Sequence, residues 1–358
     1  MTGGVPATMR ALLMTRTGGA DVLEIGEVAT PAIGSGEVLV RVAAVSLSRQ
    51  DTYTLSGRGN IRELRLPHVL GNDPAGVVVA IGDGVTDVAL GDRVAVKPSI
   101  GCDRCEPCLA GEDDACANLE SIGLHRWGGF AEYVAVPAKN VARIPPDLTF
   151  VEAAALAHTA PVALNMLRNR ARLRAGETVL VTSASGAIGA AAIQVARLQG
   201  ARVIAAAGGA ERVAFASALE PDLVIDYRET PGFAPIVAAA APNGIDVYVE
   251  SAGDPAIWSE ALKSLGRRGR VVVCGSHGGP IVELNLNWLF RMRIAILGSS
   301  GSTRATFREA FELAGRGAVR PNVDVVIPLA DAREGFDRLA RRGAGANRGK
   351  IILQVADL

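Results

Sequence analysis

The sequence predicts an α/β chain in two parts: a β-rich unit of barrel type, and a six-stranded parallel sheet whose strands alternate with helices. Three observations carry this. With 358 residues the chain exceeds what one hydrophobic core usually organises. Residues 9–155 read as short apolar strands separated by Gly, Pro and Asp, as at 38–45, 76–81, 93–96 and 131–136, with little helical periodicity. Beyond them the pattern changes: residues 152–170 are Ala-rich and helix-prone, and strand candidates then alternate with amphipathic segments at 178–181, 202–206, 223–225, 245–249, 270–274 and 294–297.

Between the first two of these strands, Ile188, Ala191, Ala192, Val195 and Leu198 fall at helical spacing and predict one apolar face. A helix at 305–315, a second around 332–341 and a last strand at 350–355 form a tail too short for a domain, expected to pack back onto the first part. Composition narrows the function. Lys and Arg number 37, equal to Asp and Glu, so no charge bias points to nucleic acid or an anionic membrane. No cationic segment with an apolar run and cleavage site opens the chain, and its apolar stretches are broken by Gly and Asp short of the roughly 18 residues that span a bilayer. A cytoplasmic protein is the expectation.

Strand, tight turn and helix meet in Val179-Leu180-Val181-Thr182-Ser183-Ala184-Ser185-Gly186-Ala187-Ile188-Gly189. Here Gly186 lets backbone approach a pyrophosphate, Gly189 lets helix pack on strand, and the helix start supplies free N–H groups and a positive dipole. The context is that of a Rossmann dinucleotide site, with Ala184, Ser185, Gly186, Ala187, Ile188 and Gly189 as cofactor-binding residues. An acid at the end of the second strand would bond the ribose 2′-hydroxyl of NAD; this chain has Ala206-Ala207-Gly208-Gly209 there, with Arg212 following. A 2′-phosphate meets no carboxylate and finds a guanidinium, with the Tyr227 hydroxyl as a further donor, so the expected cofactor is NADPH.

Cys102, Cys105, Cys108 and Cys116 occupy one Gly- and Asp-rich stretch. Four thiolates at this spacing close a tetrahedral zinc site with no open position, hence a structural one. Cys274, in an apolar strand, reads as core.

Taken with these, Leu70-Gly71-Asn72-Asp73-Pro74-Ala75-Gly76, Gly91-Asp92-Arg93-Val94, Gly128-Gly129-Phe130-Ala131-Glu132-Tyr133 and Gly349-Lys350-Ile351 resemble the medium-chain dehydrogenase/reductase superfamily from Met9 to the C-terminus. The resemblance implies a GroES-like catalytic domain over 1–155 and 303–358, with a zinc lobe near 101–117. It also implies a Rossmann domain over 156–302, the active site in the cleft between the two, a homodimer, and cofactor contacts at Gly253, Gly275, Ser299 and Lys350. In the zinc alcohol dehydrogenases of this superfamily a catalytic metal takes a Cys three residues before an Asp, a His in Gly-His-Glu, and a Cys or acid shortly before a Thr. The matching places here are Ser48 before Asp51, Asn72 with Asp73, and Ala155 before Thr159, a poor donor set for zinc.

The segment Ser48-Arg49-Gln50-Asp51-Thr52-Tyr53 instead resembles the quinone oxidoreductase branch. That implies metal-free hydride transfer to an enone, 2-alkenal or quinone, with Ser48, Asp51, Tyr53, Asn72 and Thr159 as catalytic candidates. Ser48 and Tyr53, on a loop facing the nicotinamide, would orient the acceptor oxygen or deliver the proton, and Asp51 would fix the loop. The segment 58–67 is expected to line the acceptor pocket. Alternatives are a zinc-type alcohol dehydrogenase or carbonyl reductase, a specialised biosynthetic enoyl or iminium reductase, and a non-catalytic NADPH-binding protein.

Overall fold

A computed structural model describes residues 4–58, 64–341 and 347–358; residues 59–63 of the expected pocket-lining segment lie outside the described residues. The chain divides into two compact units. Unit 1 comprises Met1–His158, Ser302–Gly317 and Pro321–Leu358, and unit 2 comprises Thr159–Gly301 and Ala318–Arg320.

Unit 1 begins with strands β1 (Thr8–Met14), β2 (Leu23–Ala29) and β3 (Glu37–Leu47) and helix α1 (Arg49–Leu55). It continues through β4 (His68–Val69), β5 (Asp73–Ile81), β6 (Arg93–Val96), β7 (Ser99–Ile100), α2 (Glu106–Leu109), β8 (Glu120–Ser121), β9 (Tyr133–Pro137), β10 (Val141–Arg143) and α3 (Phe150–Leu156). Unit 2 supplies α4 (Ala160–Leu164), β11 (Thr178–Val181), α5 (Ala187–Leu198), β12 (Arg202–Ala207), α6 (Ala210–Ser217), β13 (Leu223–Asp226), α7 (Ala234–Ala240), β14 (Ile245–Glu250), α8 (Pro255–Lys263), β15 (Leu265–Val273), α9 (Leu286–Met292) and β16 (Ala295–Gly298). The chain then returns to unit 1 through α10 (Arg304–Gly315), β17 (Val323–Pro328), α11 (Ala332–Ala340) and β18 (Lys350–Gln354).

In unit 1 a seven-stranded sheet runs β10-β6-β5-β3-β18-β17, with β9 also on β3, and a three-stranded sheet runs β2-β1-β4. A bridge from Ala11 to Ala131 and the bond from Leu12 N–H to Phe130 O join the two. Their inner faces enclose one core around Met9, Met14, Val40, Leu47, Leu70, Phe130 and Phe336, the last two meeting edge to face at 6.3 Å. β3 is buried along nearly its whole length because it is paired on both edges, which explains its almost unbroken apolar run.

Unit 2 is a parallel sheet in the order β13-β12-β11-β14-β15-β16, the doubly wound arrangement in which the chain switches direction beside its first strand. Its core packs Tyr248 on Trp258 with Phe233, Ile204 and Val271. Helix α5 is buried more widely than one amphipathic face. Ala190, Ala191, Ala192, Ile193, Val195 and Ala196 are all enclosed, whereas Leu198, read as part of the apolar face, is 47% exposed and Ile188 is half-buried. The small residues let α5 pack against β11, β12 and α4 together, so periodicity alone underestimates its buried circumference.

Three other expectations change. The stretch after Ser48 is a helix, not a loop. β15 starts at Leu265 because Gly244 and Gly266 bring its lower end against β14, where an added Cβ on Gly244 would sit 2.3 Å from Gly266 N. The helical run Phe150–Arg170 is long and apolar enough to cross a membrane by composition, yet 78% of its most apolar window is buried, as in the core helix of a globular protein.

Gly189 shows how local backbone geometry holds unit 2 together. A Cβ there would lie 2.3 Å from Ser183 O and 3.0 Å from Ala184 Cα, so α5 sits at its distance from the turn only with glycine. Gly189→Ala is expected to destabilise unit 2 by about 1–3 kcal/mol, read as a lower denaturant midpoint; an unchanged midpoint would contradict the close approach.

Candidate active site and metal centre

Pairing of three distant strands assembles a polar cluster in unit 1. β3 places Ser46 opposite Asp73 of β5 and opposite Ile352 of β18, two residues from Lys350. Asp73 is fully buried; its Oδ2 accepts from Ser46 Oγ at 2.7 Å and lies 3.4 Å from Lys350 Nζ, itself almost buried. Among the described residues Asp73 Oδ1 has no hydrogen-bond partner, and it lies 3.8 Å from His158 Nδ1. The His158 imidazole, 39% exposed, is held below its ordinary pKa by the protein packed round it and by the Lys350 and Lys97 ammoniums, against the pull of Asp73.

Beside this cluster Ser48 caps α1. Its Oγ accepts from Asp51 N–H while Asp51 Oδ2 accepts from the Ser48 N–H and hydroxyl, each at 2.7 Å, a reciprocal capping box. Asp51 Oδ1 takes Gly71 N–H at 3.0 Å, tying α1 to the segment before β5. Burial and the nearby Asp73 carboxylate push Asp51 up to about 6, against these donors. The Ser48 hydroxyl therefore uses its hydrogen within the cap and has none for an acceptor oxygen. Tyr53 lies inside α1, and Asn72 is nearly buried with its Oδ1 turned to Gly123. Thr159, the fifth catalytic candidate, opens α4 in unit 2, where its carbonyl accepts from Ala163.

Unit 2 carries the residues expected to bind the dinucleotide. Ser183 adopts a left-handed φ of 51°, Gly186 N–H bonds Ser183 O, Ala184 N–H bonds Ala206 O, and Ser185 is nearly buried. Gly186 starts α5 without a side-chain cap, so Ala187 and Ile188 present the first turn of the helix. At the end of β12, Gly208 lies under Tyr227, whose ring would be 2.5 Å from an added Cβ, and Arg212 bonds the Tyr227 hydroxyl. Burial raises the Tyr227 phenol above its usual pKa while Arg212 and Arg228 pull it down. The guanidinium of Arg228 also reaches within 3.2 Å of where a Gly209 Cβ would stand. Asp226 turns its Oδ1 to the N–H groups of Gly209 and Arg228, which hold its carboxyl below the usual range against burial.

At the ends of β14 and β15, Gly253 and Gly275 make backbone contacts that exclude a side chain, at 2.6 Å from Gly279 O and 2.2 Å from Ser251 O. Ser299 N–H bonds Val273 O, and its buried hydroxyl has no partner among the described residues. Buried Glu250 accepts from the Tyr248 hydroxyl and from the N–H groups of Ala252 and Gly253. Cys274 lies just beyond β15, its thiol pushed up to about 12 by burial and Glu250, so it is no nucleophile at neutral pH. Lys350, expected at the cofactor, belongs to the Asp73 cluster of unit 1.

The four cysteines form the lobe between β7 and β8. Their sulfurs all lie within 4.8 Å of one another with no disulfide among them, and Cys105 and Cys116 are 3.8 Å apart. A tetrahedron with metal–sulfur bonds of about 2.3 Å has edges close to this, so the donor set fits zinc. Cys102 and Asn118 N–H groups donate to Cys116 Sγ at 3.3 Å, and backbone donors pull the Cys102 thiol down to about 6. Below the lobe, fully buried Lys97 bonds Asp113 Oδ2 at 2.9 Å and both oxygens of Ser99, while Asp113 Oδ1 accepts from Arg304 N–H at the start of α10. Burial lowers the Lys97 pKa, with Asp113 opposing it.

Residues 34–146 match the alcohol dehydrogenase GroES-like domain family and residues 187–316 the zinc-binding dehydrogenase family. An alcohol dehydrogenase of Geobacillus stearothermophilus is 31% identical over 93% of this chain and 96% of its own length. An acryloyl-coenzyme A reductase of Metallosphaera sedula is 30% identical (92% and 96%), and a quinone oxidoreductase of Rattus norvegicus is 30% identical (96% and 97%). A solved NAD-dependent alcohol dehydrogenase shares 36% identity with a TM-score of 0.91, over 97% of this chain and all of that one. The chain belongs to the medium-chain dehydrogenase/reductase superfamily, zinc-type alcohol dehydrogenase and quinone oxidoreductase branch.

Within this superfamily member, the structure places three residues in these clusters that the sequence did not single out as site residues: His158, Glu250 and Arg228. His158 stands next to Thr159 but has no metal spacing, and only the β5 pairing brings Asp73 to it. Arg228 could have been found from its place after Tyr227 at the end of a parallel strand, where cofactor contacts concentrate. The Ser48-to-Asp51 spacing is itself a capping signal, masked by the strand-rich surroundings.

The Lys97–Asp113 pair makes an asymmetric expectation. Asp113→Asn leaves a buried ammonium without its carboxylate and should cost about 3–5 kcal/mol in unfolding free energy. Lys97→Met should cost less, because Arg304 Nε remains 3.9 Å from Asp113 Oδ2. Equal losses in urea titrations would exclude Arg304 as the second counter-charge.

Proposed function

We propose that this protein is an NADPH-dependent reductase that passes hydride to a conjugated acceptor, an enone, 2-alkenal, quinone or enoyl thioester, without a catalytic metal. The observation that carries the reading is the donor set where zinc alcohol dehydrogenases of this superfamily hold their metal. Ser48 is committed to the α1 cap, Ala155 has no donor atom, and Asn72 is a weak ligand. The relatives named acryloyl-coenzyme A reductase and quinone oxidoreductase support it.

The electrostatics agree. Reducing a simple carbonyl concentrates charge on one oxygen, which a metal stabilises by several kcal/mol, whereas addition to a conjugated acceptor spreads that charge so that hydrogen-bond donors suffice. A reduced nicotinamide supplies the hydride when bound. The Gly186 turn and the first turn of α5 receive the pyrophosphate, and Arg212, Arg228 and the Tyr227 hydroxyl surround the place for a 2′-phosphate. Tyr53 is a candidate to orient the acceptor oxygen. The cysteine lobe holds one structural zinc.

A homodimer through unit 2 completes the reading. β16 ends its sheet, and with α9 it leaves Leu286, Phe290 and Ile296 exposed at 67%, 68% and 39%, an apolar edge suited to a second copy. Ile296→Lys with Phe290→Glu should convert the protein to monomer in sedimentation experiments; a wild-type monomer would remove the dimer.

The chemistry is tested by NADPH consumption with a panel of acceptors and by NADP⁺-linked alcohol oxidation. Turnover of enones or quinones that survives removal of weakly held metal is expected. Strong alcohol oxidation abolished by chelation would replace this reading with that of a zinc alcohol dehydrogenase. Elemental analysis should find one zinc per chain. NADPH should bind more tightly than NADH, and Arg212→Ala should remove about 1.5–3 kcal/mol of that preference, roughly ten- to hundredfold. Equal affinities in the wild type would overturn the cofactor assignment.

A further inference from the structure

Asp73 Oδ1 is a buried carboxylate oxygen with no hydrogen-bond partner among the described residues, a condition that native structures rarely leave unanswered. Its sister oxygen is fully engaged: Ser46 Oγ at 2.7 Å and Lys350 Nζ at 3.4 Å hold it. The bare oxygen lies 3.8 Å from His158 Nδ1, which a small rotation of the imidazole would bring into hydrogen-bond range. Exposure separates the members of the cluster. The side chains of Asp73 and Lys350 are 0% and 8% exposed and Asp51 is 1% exposed, whereas 39% of the His158 side chain is open. An anchored carboxylate whose second oxygen lies 3.8 Å from the Nδ1 of a partly open imidazole needs only that rotation to become a general acid–base with its orienting partner.

We propose that His158 is the catalytic acid of the reductase reading above, on which this inference rests, and that Asp73 is its positioning residue, holding Nδ1 so that Nε2 meets the acceptor. As the acceptor's β-carbon takes up hydride, the electron pair of its double bond moves onto the conjugated oxygen as an enolate. The Nε2–H bond of the imidazolium then breaks, its electron pair stays on the ring, and the proton forms the new bond at the α-carbon or oxygen. Water restores the imidazolium, so each turnover consumes one hydride and one proton. Ser48 cannot take this role because its hydrogen goes to Asp51, and Asp51 is enclosed by the Ser48 and Gly71 donors. Lys350, drawn to Asp73 Oδ2, disfavours a metal at the same carboxylate by like-charge repulsion.

The pH dependence gives a signature. Around His158 stand Asp73 on β5, Lys350 on β18 and Lys97 after β6, with Asp51 of α1 acting on Asp73. Reduction requires the imidazolium, so kcat/KM for the acceptor should fall about tenfold per pH unit above the His158 pKa, which lies below the usual value.

The test uses the zinc-loaded full chain with an enone acceptor. His158→Gln, at a partly exposed ring, should keep the fold and NADPH affinity, lower kcat by about a hundredfold or more, and flatten the alkaline limb. His158→Ala should regain turnover with added imidazole. Asp73→Asn should move the limb to lower pH, since the carboxylate raises the imidazole pKa, whereas a purely structural role would leave the limb in place. Unchanged kcat and pH profile in His158→Gln, with the wild type active, would overturn this inference and leave the reductase reading standing. A wild type that reduces no conjugated acceptor would overturn both. Activity lost on removal of a second, weakly held zinc while the zinc of the cysteine lobe is retained, and restored by adding it back, would overturn it as well.

Discussion

Strand β3 is hydrogen-bonded along both edges, to β5 on one side and to β9 and then β18 on the other, and unit 1 depends on this double pairing. Because the registers are set by apolar residues facing the core, a slip of one position would turn Ser46, Asp73 and the end of β18 to the wrong face. The same pairing encloses Asp73 so completely that its charge depends on the buried Lys350 and Ser46 beside it. A buried carboxylate without partners would cost several kcal/mol, so the polar cluster and the β-sheet core specify one another.

The metal lobe follows the same logic at a smaller scale. Its loops are too short and polar to bury a core of their own, and the ring of sulfurs takes the place of one. Among the attachments that join it to the rest of unit 1 are the buried Lys97–Asp113 pair and the exposed contacts of Asp103 with Lys139 and with Arg304 of α10. Of these the buried pair matters more for stability, since exposed ion pairs contribute about 1 kcal/mol or less.

In unit 2 the constraint is backbone proximity. Gly189 against Ser183 O, Gly208 under the Tyr227 ring and Gly275 against Ser251 O are places where an added Cβ would meet atoms at 2.2–2.5 Å. Glycine there leaves the turns at the strand ends narrow and their N–H groups accessible, a surface suited to a phosphate. The buried Tyr248–Glu250 pair then stiffens the end of β14, where Gly253 has a φ of 72°.

Sequence alone determined the α/β class, the six parallel strands, the glycine turn and the cysteine cluster. Each rests on constraints that act over a few residues: alternation along a strand, a Cβ that does not fit, thiolates spaced to close one tetrahedron. Even the α1 capping box was written locally in Ser48 and Asp51, though the surrounding strands hid it. The tertiary structure decided the rest. The wide burial of α5 depends on α4 as well as the sheet, the early start of β15 depends on Gly244 meeting Gly266, and the hydrogen-bond partners of Asp73 come from β3 and β18. Ser46 is 27 positions from Asp73 and Lys350 is 277 away, and no periodicity spans such distances. Only strand pairing, selected by burial of apolar side chains elsewhere in the sheet, brings those charges together.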